Sequence, residues 1–312
     1  MYYVIVSGKK KSKIGEISFP LLEEKLKQRN VDYKIMVSEY PGHAIENARF
    51  ASSQDDCQAI IAFGGDGTFF EVLNGMDTKK VPIGFIPAGT GNDFVRTVGI
   101  GIDVDECLDN IIGKEPVYLD YLKIGDYKAL NLIGTGFDIQ LLKRELKIRK
   151  KFNDKTSYHV ALLQTILKLK FNTIKFKVDD MKEKTQKFFM IDCCNGRWGG
   201  GILPLCVDAD PHDGLIDFVV INKFPRIKLL PLLLKFTKGK LASSKYITRY
   251  RCKRVKIEIV EKLESNLDGE ILDLFPATIE IVHNELKYFK SSKDPVDPIA
   301  LLNNKKMKKN AI

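Results

Sequence analysis

The chain has 312 residues, of which 44% are hydrophobic and 29% charged, so it can bury one large core or two ordinary ones and is not a disordered protein. Its formal net charge of +10 favours an anionic partner such as a nucleotide, a nucleic acid or a negatively charged membrane, with a solvated lysine-rich surface as the alternative. The six cysteines include no Cys-x-x-Cys pair, so they indicate reduced core residues of a cytoplasmic protein rather than a zinc site or a disulfide framework.

Up to about residue 112 the chain alternates short apolar runs with helical patterns. The runs that predict strands are Tyr2–Val6, Tyr33–Val37, Ala59–Phe63 and Pro82–Ile86. The segments that predict helices are Ile17–Arg29, His43–Ser52 and Thr68–Gly75. This alternation is typical of βαβ units with a parallel sheet, and the nearly uniform apolar character of the strands indicates helices on both faces. Lysines follow the first run instead of preceding it, which favours a strand over a signal peptide.

After Pro116 strand patterns follow one another with few helices between them. The predicted strands are Val117–Ile124, Lys128–Gly134, Thr173–Val178, Lys187–Cys194, Leu215–Ile221, Arg251–Val260 and Ala277–Val282. The predicted helices are Asp138–Ile148, Ser157–Leu169, Ile227–Thr237 and a last stretch near Pro298–Asn303. We therefore predict an α/β domain over residues 1–116 and a β-sandwich domain over residues 117–290. We expect the segment 291–312 to pack back on the first domain.

A glycine-rich loop follows the third predicted strand and directly precedes a helix. Its members are Gly64, Gly65, Asp66, Gly67 and Thr68. Glycines leave no Cβ in the way, so backbone N–H groups and the positive end of the helix can approach an anion such as a phosphate. Asp66 would repel a bare phosphate, so we expect it to act through Mg²⁺ or a bound water, with a tight structural turn as the alternative.

A second glycine-rich loop follows the fourth predicted strand, within Pro87–Arg96. The residues that we expect to contact a ligand there are Gly89, Thr90, Gly91, Asn92 and Asp93. Either Asn92 or Asp93 can cap the helix that follows. Both loops leave the carboxyl ends of predicted parallel strands, where open α/β sheets bind ligands. The chain has no Gly-x-x-x-x-Gly-Lys-Ser/Thr sequence, and neither loop has the third glycine of the dinucleotide fingerprint, so both of those nucleotide sites are excluded.

The sequence Gly-Gly-Asp-Gly-Thr at Gly64–Thr68, followed by Pro-Ala-Gly-Thr-Gly-Asn-Asp-Phe-Val-Arg at Pro87–Arg96, resembles the diacylglycerol kinase catalytic family. The first motif is shared with NAD kinases, and the second is much more specific. The resemblance covers nearly the whole chain. It implies an N-terminal α/β nucleotide-binding domain with its ATP site in the interdomain cleft, and a second domain that is a β-sandwich.

Two further segments of the first domain match this family less closely. Ser38, followed by Pro41–Ala44, resembles the family's nucleotide-contacting loop, with serine where threonine is usual. After the first strand the family has Asn-Pro-x-Ser-Gly, where this chain has Ser7, Gly8 and Lys9. The resemblance implies that these three residues contact the nucleotide, and the lysines can replace the missing Asn-Pro pair electrostatically.

Two acidic turns in the second domain carry the remaining predicted site residues. Read locally, the Asp-Gly pairs that begin at Asp213 and Asp268 are hairpin turns. The resemblance implies a structural Mg²⁺ held by the Asp213 carboxylate and by the carbonyls of Asp210 and Leu215, an oxygen-only set that suits this ion. It also implies that Glu270 is the base that removes the proton of the acceptor hydroxyl, with Asp268 as its supporting carboxylate.

The segment Lys223–Lys256 carries twelve basic residues and no acidic one. Within it, the predicted helix Ile227–Thr237 has an apolar face flanked by lysines. These are Lys228, Lys235 and Lys238. Such a helix can lie on an anionic membrane or face the core with a solvated rim, and its periodicity fits both. The densest apolar run, Leu229–Leu234, is too short to cross a bilayer, so any membrane contact is peripheral.

The favoured hypothesis is an ATP- and Mg²⁺-dependent lipid kinase that converts diacylglycerol to phosphatidate. The alternatives are a kinase for a sphingosine-like lipid or a polyprenol, and an NAD kinase-like enzyme, against which Pro87–Arg96 and Asp268–Glu270 argue. We expect no nucleic-acid partner, because no nucleic-acid motif accompanies the charge. The expected partners are a lipid substrate at the membrane surface and anionic phospholipid, with a homodimer left open. The expected location is the cytoplasm, in reversible association with the inner face of the membrane.

Overall fold

The computed structural model describes residues 1–7, 13–148, 160–161, 164–166, 168–199, 203–236, 244–259 and 263–295. Its first part alternates strands and helices as predicted. The elements are β1 (Tyr2–Ser7), α1 (Lys13–Gln28), β2 (Tyr33–Ser38), α2 (His43–Ser53), β3 (Ala59–Gly64), α3 (Asp66–Gly75), β4 (Ile83–Pro87), α4 (Asp93–Thr97) and α5 (Val104–Ile111). Helix α5 was not predicted, although its buried residues repeat at the helical spacing Val104, Cys107, Leu108 and Ile111.

The predicted parallel sheet is confirmed, in the order β2-β1-β3-β4. Strands β3 and β4 are buried along their whole length, because helices cover the sheet. The register pairs Ser7 with Ser38 and Gly64 with Pro87, which are the last residues of these four strands. The loops that follow the strands therefore leave the sheet at one edge.

The second part of the chain is mostly sheet, as predicted for a β-sandwich. Its strands are β5 (Val117–Ile124), β6 (Tyr127–Ala129), β7 (Leu132–Gly136), β8 (Asn172–Val178), β9 (Lys184–Cys194), β10 (Trp198–Gly199), β11 (Leu203–Pro204), β12 (Ile216–Asn222), β13 (Ile247–Cys252), β14 (Arg254–Ile259), β15 (Ser265–Leu267), β16 (Glu270–Leu272) and β17 (Ala277–Tyr288). The helices among them are α6 (Phe137–Ile148) and α7 (Leu229–Phe236), the latter preceded by a 3₁₀ turn at Arg226–Lys228.

Strand β17 connects the two parts of the fold. It pairs with β14 and β5 in antiparallel fashion and meets β4 in parallel at Tyr288 and Ile83. The sheet therefore runs on from the sandwich strands into the parallel strands. Separate apolar clusters fill the two parts: Phe69 and Phe85 belong to the core of the parallel sheet, and Phe218 to one of the sandwich cores.

One predicted strand, Lys128–Gly134, is two strands in the structure. The break between β6 and β7 occurs at Leu130 and Asn131, whose N–H groups donate to the carboxylate of Asp268. A side chain far along the chain therefore replaces a neighbouring strand as the hydrogen-bond acceptor.

The predicted strand Arg251–Val260 is likewise divided between β13 and β14. At the break, the N–H of Lys253 donates to the side chain of Asp179. The predicted helix Ser157–Leu169 is described only in part, with helical residues at 160–161 and 164–166, and the predicted helix near Pro298–Asn303 lies outside the described residues.

The start of the C-terminal segment contacts the first domain. Ser292 N–H donates to Asn110 Oδ1, and Lys293 forms an ion pair with Glu106 on α5. Residues 296–312 lie outside the described residues. All six cysteines are free, and five of them are buried. Among the described residues, no helix is both long and apolar enough to cross a membrane.

Candidate active site

The two glycine-rich loops lie against each other at the carboxyl edge of the parallel sheet. The N–H of Ala88 donates to the carbonyl of Gly64 over 2.7 Å. A Cβ built on Gly89 would lie only 2.5 Å from the Cα of Gly65, which is closer than carbon atoms can approach. Glycine is therefore required here for the backbones to pack, and the two loops form one continuous surface.

Asp66, the first residue of α3, joins the two loops with its carboxylate. Its Oδ2 accepts the N–H of Asn92 over 2.8 Å, and its Oδ1 accepts the N–H of Asp93 over 3.0 Å. Burial raises the pKa of Asp66, while these donors and the nearby Arg96 favour its ionised form. Both oxygens are thus engaged by the backbone of the second loop, a role that the sequence analysis did not assign to Asp66.

Of the two residues predicted as caps of α4, Asn92 is the one at the cap position. Asn92 occupies the N-cap position of α4 with a left-handed backbone, φ 54°, but its side chain makes no capping bond. Its Nδ2 instead donates to the carbonyl of Gly89 over 3.0 Å. Asp93 lies inside the helix, and the carboxylate of Asp66 takes the place of the capping side chain.

Other predicted nucleotide-contacting residues lie along the same edge. Ser7 and Ser38 end β1 and β2 as register partners. The Oγ of Ser38 is buried and has no hydrogen-bond partner in the part of the chain that the structure describes, so it is available to a ligand. Thr90, in the second loop, is exposed. Gly8 and Lys9 lie outside the described residues.

Glu71 on α3 was missed by the sequence analysis. Its carboxylate accepts the N–H groups of Gly42 over 3.0 Å and Ala44 over 3.2 Å, at the start of α2. Glu71 therefore ties the segment that follows Ser38 to the helix that begins at the first glycine loop. The only sequence signal is an acidic residue within the apolar stretch Phe69–Leu73.

Asp268 lies in the turn between β15 and β16, with a left-handed backbone, φ 49°. Its carboxylate accepts three backbone N–H groups: those of Leu130 over 2.7 Å, Asn131 over 3.0 Å and Leu132 over 2.8 Å. Burial raises the pKa of Asp268 to about 7 and outweighs these donors, which act in the opposite direction. The main observed role of Asp268 is therefore to fix the segment 130–132 under the turn.

Glu270 is exposed and follows Asp268 in the same turn. A Cβ built on Gly67 would lie 3.4 Å from Glu270 Oε1. The carboxylate of the sandwich domain thus reaches the first glycine loop of the other domain, although 203 positions separate Glu270 from Gly67 in the numbering. The structure brings both glycine-rich loops and the Asp268–Glu270 turn into one site.

Two family models match most of the chain. Residues 1–124 match the model of the diacylglycerol kinase catalytic domain, and residues 131–290 match that of the YegS C-terminal NAD kinase beta sandwich-like domain. The chain belongs to the diacylglycerol kinase catalytic family. Family membership makes it a kinase, and a kinase uses ATP.

Relatives of this kinase agree with the assignment. A protein of Staphylococcus aureus (strain Newman) named "Putative lipid kinase" is 27% identical over 267 residues, which is 81% of this chain and 85% of that protein. A structure described as a "putative diacylglycerol kinase" from Bacillus anthracis (strain Sterne) superposes with a TM-score of 0.76 at 24% identity, over 93% of this chain and 97% of the other. A second structure of a diacylglycerol kinase from that strain gives a TM-score of 0.70 at 21% identity. At these identities the two structures show a shared fold.

The three predicted magnesium ligands of the kinase lie in one turn. The N–H of Asp213 points to the carbonyl of Asp210 over 3.4 Å, and Asp213 Oδ1 accepts the N–H of Leu215 over 2.9 Å. These oxygens are of the type that Mg²⁺ prefers. The other oxygen of Asp213 pairs with Arg251, so a bound Mg²⁺ would compete with that guanidinium. The carboxylate and carbonyl oxygens of this turn suit Mg²⁺ as ligands, and the magnesium site stays a prediction.

Asp120, on β5, fixes this turn and was not predicted. It is 1% exposed; its Oδ2 accepts the N–H of Gly214 over 2.8 Å, and its Oδ1 lies 2.7 Å from His283 Nδ1 on β17. The available signal was an acidic residue in the middle of the predicted strand Val117–Ile124.

The basic helix, predicted at Ile227–Thr237, has features of a core-facing helix and of a helix that lies on a membrane surface. Leu229 and Leu232 on α7 are buried in a sandwich core, as a core-facing helix requires. Lys228 and Lys235 are exposed, and Ile227, in the 3₁₀ turn, is 83% exposed. Lys238 lies outside the described residues.

Proposed function

We propose that this kinase transfers the γ-phosphate of ATP to a lipid hydroxyl, with diacylglycerol as the acceptor and phosphatidate as the product. The observation that carries the proposal is the position of Glu270 beside Gly67. Phosphoryl transfer needs an acceptor oxygen aligned with the phosphate and a group that accepts its proton. An exposed carboxylate next to a phosphate-type loop meets that need.

Glu270 acts in this proposal as the general base. It takes the proton of the acceptor hydroxyl when that oxygen lies between Oε1 and the first glycine loop. Asp268 is not the general base in this proposal, because its oxygens accept hydrogen bonds from the N–H groups of residues 130–132. It positions Glu270 through the turn between β15 and β16.

The two glycine-rich loops hold the phosphates of ATP. Their glycines leave no Cβ in the way of an anion, and α3 begins within the first loop at Asp66. The buried hydroxyl of Ser38 would donate to or accept from the nucleotide. An Mg²⁺ ion bound with ATP would neutralise charge on the phosphates. A separate Mg²⁺ ion, at the turn of Asp213, would be held by oxygen atoms alone.

The acceptor is tested by a phosphorylation assay with labelled ATP. The panel contains diacylglycerol, sphingosine, a polyprenol and NAD, each lipid dispersed in detergent so that membrane binding does not limit the rate. We expect diacylglycerol to be the best acceptor. Labelling of NAD alone would favour the NAD kinase-like alternative, and labelling of sphingosine or a polyprenol alone would change the lipid.

Glu270→Gln tests the proposed base in the same assay. Glutamine keeps the size of the side chain but is a poor proton acceptor, so kcat should fall by about 10²–10⁴-fold. The affinity for ATP, measured by calorimetry, should persist because the glycine-rich loops are unchanged. Glu183→Gln, an exposed glutamate elsewhere in the sandwich, is the matched control. Full turnover of Glu270→Gln would remove Glu270 from the catalytic role.

We propose further that the kinase reaches its lipid from the cytoplasm by reversible attachment to an anionic membrane surface. Support comes from the exposure of Lys228, Lys235 and the apolar Ile227 in the segment formed by the 3₁₀ turn and α7. A cleft of about 470 Å³ on the sandwich is a second surface with more cations than carboxylates. It is lined by the cations Lys123, Lys177, Arg254 and Lys256 and by the carboxylates Asp179 and Glu280.

A further inference from the structure

The single tryptophan of the chain, Trp198, is buried where the sandwich meets the second glycine-rich loop. The guanidinium carbon of Arg96, on α4, lies 5.3 Å from the centre of its ring. This is within the range of a cation–π contact, and both groups are shielded from water, since the Arg96 side chain is 11% exposed. Arg96 closes the Pro87–Arg96 motif, so the contact joins that motif to β10.

Arg96 in turn holds the second loop. Its Nη2 donates to the carbonyl of Gly91 over 3.0 Å, and its Nη1 lies 3.5 Å from Asp93 Oδ1. The indole ring therefore supports the side chain that fixes the carbonyl of a phosphate-loop glycine. The ring N–H of Trp198 has no hydrogen-bond partner among the described residues, which leaves packing and the stacked cation to hold the ring.

The backbone of Trp198 is connected through Asn131 to the turn that contains Asp268. Its carbonyl accepts a bond of 2.8 Å from Asn131 Nδ2. The N–H of Asn131 is one of the three that Asp268 binds. A short series of contacts thus runs from Gly91 through Arg96, Trp198 and Asn131 to Asp268.

The residues that precede Trp198 also contact the end of α4. The N–H of Arg197 donates to Thr97 Oγ1, at the end of α4, over 3.0 Å. A Cβ built on Gly196 would lie 2.0 Å from Asn131 Oδ1 and 3.2 Å from Thr97 Oγ1. The segment 196–198 is therefore fitted closely between the nucleotide domain and the loop that carries Asn131.

We infer that Trp198 is a positioning residue of the nucleotide site: its ring holds Arg96 and hence the second glycine-rich loop in register with the Asp268–Glu270 turn. The inference rests on the proposed function, because it assigns the loop to the phosphates of ATP. It goes beyond a core role for Trp198, since a core residue would affect the stability of the sandwich without a specific effect on nucleotide affinity.

Trp198→Leu removes the aromatic face, and Trp198→Phe keeps one. The contact with Arg96 predicts that Trp198→Leu weakens ATP binding by about 2- to 30-fold. Trp198→Phe should recover most of the affinity. The KM for ATP should rise by a larger factor than kcat falls, because every variant keeps the carbonyl that Asn131 binds. Phe218→Leu, at a fully buried aromatic residue of another part of the sandwich, is the control for general loss of packing.

The fluorescence of the wild-type protein supplies a second readout, since all tryptophan emission comes from Trp198. Titration with ATP should change that emission with the same midpoint as calorimetric ATP binding, because Arg96 shifts with the loop. The inference is overturned if ATP binds by calorimetry without changing the emission, or if Trp198→Leu matches Phe218→Leu in both stability and ATP affinity. Absence of any ATP binding would overturn the proposed function, and the inference with it.

Discussion

Alanine at Gly89 and alanine at Gly67 should affect the kinase in different ways, although both positions are glycines of the site. A Cβ on Gly89 would lie 2.5 Å from Gly65 Cα and 3.0 Å from Asn92 Oδ1. Ordinary carbon–carbon contacts are about 3.5–4.0 Å, so the two loops would have to separate by about 1 Å. That movement would also lengthen the 2.7 Å hydrogen bond from Ala88 N–H to the Gly64 carbonyl.

The expected cost of Gly89→Ala follows from these two contacts. Overpacking typically costs about 1–3 kcal/mol, and a lost hydrogen bond about 0.5–1.5 kcal/mol, so the free energy of unfolding should fall by about 2–4 kcal/mol. A Cβ on Gly67 would instead lie at an ordinary contact distance, 3.4 Å, from Glu270 Oε1. Because Gly67 is helical, Gly67→Ala should leave stability unchanged or raise it by up to about 1 kcal/mol.

Urea unfolding, followed by circular dichroism with and without ATP, measures both variants. We expect Gly89→Ala to lose stability and ATP affinity together. Gly67→Ala should keep its stability but lose turnover, because its methyl group enters the space between the glycine loop and Glu270. A Gly89→Ala protein as stable as the wild type would refute the close contact between the loops.

Three further predictions follow from the geometry of the site. Burial raises the pKa of Asp268 to about 7, so between about pH 4 and about pH 7 the folded protein binds a proton that the unfolded chain has released. The stabilisation linked to this proton is complete below about pH 4 and is lost as the pH rises through 7. Between about pH 5 and about pH 8 the wild type should therefore lose more stability than Asp268→Asn, and parallel curves would contradict the shift. Asp66→Asn places an amide NH₂ group against an N–H donor of the second loop, so the unfolding free energy should fall by about 1–3 kcal/mol, with weaker ATP binding; an unchanged urea midpoint would argue against the bond to Asn92. Lys228→Gln with Lys235→Gln should reduce pelleting with anionic vesicles by up to about 30-fold at low salt, without slowing turnover of detergent-dispersed lipid; pelleting that ignores both salt and these lysines would exclude the basic helix.

The parallel sheet and the position of the glycine-rich loops could be predicted from the sequence because their signals are local. Apolar runs of strand length end in glycines, and a helical pattern follows each of them. The predicted ends of β1, β2 and β3 lie within one residue of the observed ends, at Ser7, Ser38 and Gly64.

The contacts that organise the site could not be predicted, because they join residues that are distant in the chain. Asp66 binds N–H groups 26 and 27 positions away, and Asp268 binds N–H groups 136 to 138 positions away. An acidic residue beside a glycine has the same appearance in sequence whether it binds a metal, a substrate or a backbone. The resemblance to a kinase family predicts roles for Glu270 and Asp268, and the fold shows which N–H groups the carboxylates of Asp66 and Asp268 bind.

The division of work among the three acidic residues of the site follows from their burial. Asp66 and Asp268 are half-buried and use their oxygens as acceptors for backbone N–H groups, so each stabilises a loop at the cost of its own desolvation. The oxygens of both carboxylates are directed at backbone N–H groups, so an acceptor hydroxyl could reach them only by displacing those bonds. Glu270 is exposed and lies beside Gly67, where an acceptor hydroxyl can reach it. We therefore expect substitutions at Asp66 and Asp268 to change stability and loop geometry together with activity, whereas Glu270→Gln should change turnover alone.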